Sequence, residues 1–576
     1  MSQKEKMSLN RQTYKLPDDL QQAVEKSLAD WQENDKVKKL WAKDASLWSN
    51  TDEAKWLGWL DIVERQVADK QKFADFREEV SRENFSHILL LGMGGSSLCP
   101  EVLSFTFGKQ NNFPELHILD STVPSQIRDV ESKIDLAKTL FFVSSKSGST
   151  LEPNIFQAYF YDRVAQTVGR ENAGKQFVAI TDPNSKMQQV AEQNNFRKIF
   201  FGDAAIGGRY SALSDFGMIP LAAMGIDVAD FLQRSSEMVE ACKTQAQDNP
   251  GVILGAILGT AARDFGRDKV TIYTSQTIFD AGAWLEQLIA ESTGKEGKSL
   301  IPVDSEKIAS PESYGNDRVF AYLCLEGEQD EKQESAVAAL EEAGQPVVRI
   351  VLTDAMNLGQ EFFRWEIATA VAGSIMGINP FNQPDVEASK IVTKELTSAY
   401  EETGNLPSET PVFEGEGVKL FTDERNASEL NEAVSGEKSL AGYIKAHLTR
   451  IKPDDYFGLL AYVEMNRENQ DLTQEIRHGI MQKHHVATCL GFGPRFLHST
   501  GQGYKGGANN GVFLQITSDD AEDLAVPNQK YSFGIVKSAQ ARGDFAVLAE
   551  RNRRALRVHL GADVKDGLSK ILEIIK

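Results

Sequence analysis

Hydrophobic residues fall along this chain in two rhythms. Through about the first 80 residues the period is helical. LPDDLQQAVEKSLADWQ sets apolar residues at helical spacing behind a Pro-Asp start, and WAKDASLWSNTDEAKWLGWLDIVERQVADK continues the pattern. Trp31, Trp41, Trp48, Trp56 and Trp59 crowd this segment. Anchoring an arm onto the main body is their expected role, and ligand contact is the alternative.

Beyond that point short continuous apolar runs alternate with helical stretches. HILLLGMGGSSLCPEVLSF reads as a strand, a glycine-rich turn and a helix. LAKTLFFVSSKSGSTLEPNIFQAYFYDRV repeats the plan, and QFVAITDP supplies another strand. DKVTIYTSQTIFDAGAWLEQLIAEST, RVFAYLCLEG and PVVRIVLTD resume it. Apolar strands separated by helices form parallel sheets covered on both faces. The pattern therefore predicts an α/β fold: a helical arm over 1–80 and two doubly wound domains over 81–240 and 241–395. Ligands are expected at the carboxyl ends of the strands. SAYEETGNLPSETPVFEGEGVK then reads as a polar connector. HHVATCLGFG, GVFLQITSD and ALRVHLGAD, with VKDGLSKILEIIK as a terminal helix, predict a third α/β unit over 396–576.

Bulk composition adds limits. At about 150 residues per domain, 576 residues make three to four domains. No run approaches the ~20 apolar residues of a membrane span. MSQKEKMSLNRQTYKLPDDL lacks the apolar core of a secretory signal. Cys99, Cys242, Cys324 and Cys489 stand far apart with no CxxC, which fits a reducing cytosol, so the expected location is cytoplasmic. The net charge of −21 argues against a nucleic-acid partner. A phosphate site on such a chain must be made locally, from backbone N–H groups, hydroxyls and a few cations.

Several short strings carry chemistry. GMGGSS (Gly92–Ser97) joins a strand to a helix but has Ser97 where a dinucleotide fingerprint needs its last glycine. Its glycines allow close approach to the backbone, and Ser96 offers a hydroxyl. SSKSGST (Ser144–Thr150) gathers hydroxyls, a lysine and a glycine at a helix N-terminus. Free N–H groups and the helix dipole there favour a phosphate dianion, and the loop suits a sugar monophosphate better than a nucleotide. GKEGKS (Gly294–Ser299) is not a nucleotide loop, because Ser292 stands at the required glycine. Arg209 in GGRYS, Glu291 in AESTGKEGKS and Lys390 in NPFNQPDVEASK are ordinary surface charges when read singly. Together they offer an acid–base group and two cations. No His/carboxylate cluster is legible at metal spacing, and neither a metal nor a cofactor is expected.

The order and spacing of GMGGSS, SSKSGST, GGRYS, AESTGKEGKS and NPFNQPDVEASK, over roughly 85–395, resemble the glucose-6-phosphate isomerase family. The resemblance implies a pair of sugar-isomerase (SIS) domains. WAKDASLW and GFGPRFLHSTGQGYKGG resemble the isomerase half of fused transaldolase/glucose-6-phosphate isomerases, and the residues ahead of the first SIS domain are too few for a transaldolase barrel. For this chain the family implies that Ser145, Lys146, Ser147 and Thr150 hold the phosphate. It also implies that Gly95 and Ser96 line the sugar. Glu291 is then the base between C1 and C2, Arg209 the cation beside the enediolate, and Lys390 a lysine near the ring oxygen. The implied reaction interconverts glucose 6-phosphate and fructose 6-phosphate. A dual phosphoglucose/phosphomannose isomerase and a non-catalytic sugar-phosphate sensor are the rival readings. The family further implies a homodimer, although the added C-terminal unit leaves a monomer open.

One departure stands out. Family members carry a ring-opening histidine between the glutamate and the lysine, and this chain has no histidine between His117 and His447. His498, in FLHSTGQGYKGG, lies in a string similar to the family's histidine segment. It is expected to enter the active site, from its own chain or a neighbouring subunit. A structural histidine is the alternative. His484 and His485 abut a predicted strand and suit the role less well.

Overall fold

The computed structural model describes residues 9–434 and 438–576. Residues 1–8 of the expected arm and 435–437 of the expected C-terminal unit lie outside them. Three sheets organise the described residues. The first is wholly parallel, in the order Glu115–Leu119, His87–Leu91, Thr139–Ser144, Phe177–Thr181, Lys198–Phe201. Beyond the half-buried His87, its three central strands are buried, as continuous apolar runs demand. The chain starts in the middle, steps one way, then crosses back. The switch point therefore lies between His87–Leu91 and Thr139–Ser144, and the loops leaving their carboxyl ends are GMGGSS and SSKSGST.

The second sheet orders Arg11–Lys15, Val347–Leu352, Arg318–Leu325, Lys269–Thr274 and Ile301–Val303. Arg11–Lys15 pairs antiparallel with Val347–Leu352, a correction to the expected all-helical arm over 1–80. RQTYK is largely exposed and has no apolar period to mark it as a strand. Its place is set by the sheet edge and by Asn10, which bonds Glu361 Oε1 (2.8 Å) and accepts from Arg364 (2.7 Å). The helices behind it pack against the core of both sheets. Trp31, Trp48 and Trp59 are buried there; the indoles of Trp41 and Trp48 donate to Cys242 O and Ala370 O, and Trp56 sits on the rim of the main cleft.

The third sheet orders Phe413–Gly415, Val418–Phe421, Arg554–Leu560, Gly511–Ser518, Tyr456–Tyr462 and Ala487–Phe492, the last four parallel. It shares a core with the second sheet, where Ile301 and Val303 pack on Tyr456, Tyr462 and Cys489. The boundary expected at 395/396 falls inside one continuous helix, Pro384–Thr403, and the expected connector begins within it. Pro384 starts that helix, and Gly404 ends it at φ +78°. The helix lies close on Phe533–Glu550, where a Cβ on Gly543 would sit 2.8 Å from Thr393 Oγ1. No helix of the described residues is long and apolar enough to cross a membrane.

Candidate active site

One cleft of about 950 Å³ is lined by Gly95, Ser96, Ser145, Lys146, Ser147, Thr150, Arg209, Glu291, Lys390 and His498. The loops of the first sheet's switch point form one wall. Gly95 is tied to glycine by packing, because a Cβ there would meet Gly208 O at 1.9 Å. That close approach lays the GGRYS loop on the GMGGSS loop.

Arg209 follows directly and is buried, its side chain 2% exposed. Nε donates to Ser292 Oγ (2.8 Å), Nη2 to Pro380 O (2.7 Å) and Nη1 to Gln383 Oε1 (3.1 Å). The guanidinium fork is thus held rigid, with Nη1 3.3 Å from Glu291 Oε1. Trp59 stacks on Tyr210 behind it, with ring centroids 5.1 Å apart.

Glu291 stands in the last turn of the helix Ala281–Thr293. The second sheet thus presents the returning end of a crossover helix, whereas the first sheet presents its strand ends. Gln287, one turn earlier, donates to Glu291 Oε2 (3.0 Å) and to His498 O (2.8 Å). Gly94, at φ +54°, allows this meeting: a Cβ there would lie 2.7 Å from Gln287 Nε2.

His498 reaches the cleft within its own chain. The short turn Arg495–His498 follows the third-sheet strand Ala487–Phe492. Arg495 docks that turn beside the first sheet through Glu101 (2.6 and 2.7 Å) and Asp120 (2.9 Å). His498 Nε2 is 2.9 Å from Glu152 Oε1, and Gln540 donates to the same oxygen (2.5 Å). Burial pushes the Glu152 carboxyl up, but the charge and hydrogen bond of His498 outweigh it and leave it below the usual carboxylate range.

The SSKSGST loop is looser. Ser147 and Ser149 are exposed and share a hydroxyl contact (2.8 Å). Thr150 caps the helix Leu151–Val168 without committing its side chain to the helix. Ser145 Oγ is buried and finds no partner among the described residues. Lys146 turns aside, to Asp182 Oδ2 (2.5 Å) and Asp203 O (2.7 Å). The positive character of the loop therefore comes mainly from N–H groups and the helix dipole. Lys390 lines the cleft wall, yet its side chain is 45% exposed and pairs with Glu387 (2.8 Å).

GKEGKS is a brace. Lys295 is buried and donates to Ser292 O (2.9 Å) and Asn379 O (2.6 Å), joining the end of the Glu291 helix to the NPFNQ segment. Burial and the charge of Arg209 push its ammonium well below the ordinary lysine value. Gln502 accepts from the N–H groups of Asp385 and Val386 and donates to Gly294 O (2.8 Å), which fastens the helix bearing Lys390. Sequence reasoning missed Glu152, Gln287, Gln502 and Gln540. Glu152 in a first helical turn reads as an ordinary dipole-favoured carboxylate, and the glutamines carry no motif at all.

A family profile described as phosphoglucose isomerase matches residues 63–315. A probable glucose-6-phosphate isomerase of Methanococcus maripaludis is 27% identical over 385 residues, 60% of this chain and 86% of the relative. A glucose-6-phosphate isomerase of Staphylococcus aureus is 27% identical over 382 residues, 58% of this chain and 85% of the relative. Among solved structures, a glucose-6-phosphate isomerase from Chlamydia trachomatis has a TM-score of 0.57 at 19% identity, covering 66% of this chain and 86% of that one. A hypothetical protein of Thermus thermophilus has a TM-score of 0.58 at 24% identity, covering 66% of this chain and 99% of that one.

Proposed function

We propose that the chain is a member of the glucose-6-phosphate isomerase family and interconverts glucose 6-phosphate and fructose 6-phosphate in the cleft described above. The observation that carries this reading is the buried Glu291–Arg209 pair in the same cleft as the SSKSGST loop. A sensor of sugar phosphates needs the loop but has no use for that pair.

The phosphate sits against the hydroxyls and N–H groups of Ser145–Thr150, with Lys146 contributing charge from one side. His498, steered by Glu152, moves the proton that opens the sugar ring. Glu291 then takes the proton from the carbon beside the carbonyl and returns it to the neighbouring carbon. Such a C–H is a weak acid, so the enediolate oxygen must be stabilised as it forms. Arg209 suits that task because it stays charged and cannot compete for the proton. General base action is worth about 10²–10⁴-fold, and a placed cation adds a comparable factor. Lys390 serves from the rim, where its long side chain can exchange Glu387 for a sugar oxygen. The groups assigned to the reaction line the cleft from one chain.

Fructose 6-phosphate supplied to the purified protein, with glucose 6-phosphate read through an NADP-linked dehydrogenase, tests the proposal. Turnover by the parent and its collapse in Glu291→Gln support it. A parent that binds sugar phosphate without turning it over returns the protein to the sensor class.

A further inference from the structure

At the amino-terminal ends of the first sheet's strands, three ligating groups converge outside the cleft. His87 opens one strand and Glu115 opens the edge strand beside it, and the parallel register pairs the two. His117 lies two residues beyond Glu115 and so shares its face. His87 Nδ1 and His117 Nε2 are 3.1 Å apart. One ligand atom from each of the three residues lies within 4.8 Å of the others.

The spacing can be compared with what a metal needs. Two metal–nitrogen bonds of about 2.0–2.1 Å at a tetrahedral angle place the nitrogens ~3.3 Å apart. The imidazoles already stand within a few tenths of an ångström of that separation, so ligation asks only a small side-chain adjustment. A hydrogen bond between two rings gives a similar distance but makes no use of the carboxylate beside them. Both imidazoles are half-buried and Glu115 is exposed, so an ion has access and keeps a coordination position for water. Two imidazoles and a carboxylate suit zinc and its neighbours better than magnesium or calcium. The charges acting on the two rings do not form an acidic patch: Glu115 and Asp135 favour a cation, and Lys109 and Lys133 oppose one. Binding here rests on ligation rather than on a general field.

We propose that His87, Glu115 and His117 bind a divalent transition-metal ion of the zinc class, which clamps the edge strand Glu115–Leu119 to its neighbour and takes no part in isomerisation. The GMGGSS loop of the cleft leaves the opposite end of the strand that His87 opens, roughly 15 Å from His87 at about 3.3 Å per residue. An edge strand is held on one side only, and a metal cross-link at its start opposes fraying and mispairing.

The test uses the intact protein, freed of metal with a chelator and titrated with Zn(II) alone. One ion per chain is expected, with a melting temperature that climbs as free zinc exceeds the dissociation constant. His87→Gln and His117→Asn, which stay hydrogen-bond competent, should each weaken binding by more than the about 10–100-fold that loss of an outer partner costs. Isomerase turnover should stay at the parent level in both. In case a variant misfolds, Cu(II) loaded into the unaltered protein gives an independent reading: its EPR spectrum should show two nitrogen ligands. Absence of zinc binding, zinc binding untouched by both variants, or a copper spectrum with fewer than two nitrogens would overturn the proposal.

Discussion

Ser145–Thr150 and the Glu291–Arg209 pair line the same cleft but are built in opposite ways. The loop is contiguous in sequence, partly exposed, and made of neutral hydroxyls and N–H groups around a helix start. The pair is buried, charged and assembled from separate segments, with Gln287, Ser292, Pro380 and Gln383 holding it and the His498 backbone attached through Gln287. A dianion with many oxygens tolerates a loose cradle, because several weak donors add up and water fills the gaps. Proton transfer from carbon does not tolerate looseness, because a small misplacement of base or cation loses orders of magnitude. The proposed division is therefore binding by local structure and chemistry by tertiary structure.

The largest expected effect lies on the buried side. Glu291→Gln should lower kcat by about 10³-fold or more while KM stays within a few-fold, since it removes the base and little binding. A variant that lost affinity and kept kcat would reverse the roles assigned to the two regions. Arg209→Lys follows. It keeps the charge but loses the fork, so kcat should fall about 10²–10³-fold, as for loss of a placed oxyanion donor. The melting temperature should fall as well, because the carbonyls of Pro380 and Asn382 lose a buried donor.

Glu152→Gln tests the link to the third sheet. Turnover of the closed-ring sugar should drop about tenfold or more, while exchange of the carbon-bound proton with open-chain substrate stays near the parent rate. The same variant has a pH signature. Glu152 sits below its usual carboxylate value in the fold. A carboxyl depressed by folding contributes stability that is complete above about pH 4.5, its ordinary value, and is lost as pH falls through the lower folded value. Unfolding measured down through that window should show the parent's advantage over Glu152→Gln shrinking with acid. An advantage that grows would contradict the assigned direction.

The smallest effect belongs to the loop. Ser147→Ala should raise KM a few-fold with kcat unchanged, as expected for one exposed neutral hydrogen bond of about 0.5–1.5 kcal/mol. If that single hydroxyl proved as costly as Glu291, the contrast between a loose cradle and a tight acid–base centre would fail.

Legibility followed the same division. The α/β class was readable because the buried strands Ile88–Leu91, Leu140–Val143 and Val178–Ile180 are continuous apolar runs between helices. The SSKSGST loop was readable as a hydroxyl-rich turn into the helix Leu151–Val168, because such a turn needs only neighbours in sequence. Arg11–Lys15 was not readable, since an exposed edge strand carries no apolar period and owes its place to its partner strand. Nor was the helix across residue 395, whose course depends on Gln502 at its start and on close packing against Phe533–Glu550. His498 could be suspected from its local string, but nothing in that string foretold its contact with Glu152 or the docking of Arg495 on Glu101 and Asp120.

By itself the sequence determined what depends on neighbours along the chain: strand and helix periods, glycine turns, a hydroxyl-rich helix start and an acidic surface. Only the tertiary structure decided which distant groups meet. It brought Glu291 to Arg209, carried His498 from the third sheet onto Glu152, turned Lys146 toward Asp182, and set His87 against His117 through strand register. The physical reason is range. Secondary structure and caps act over a few residues, whereas a buried charge must find its partner wherever folding excludes water, at any separation in sequence.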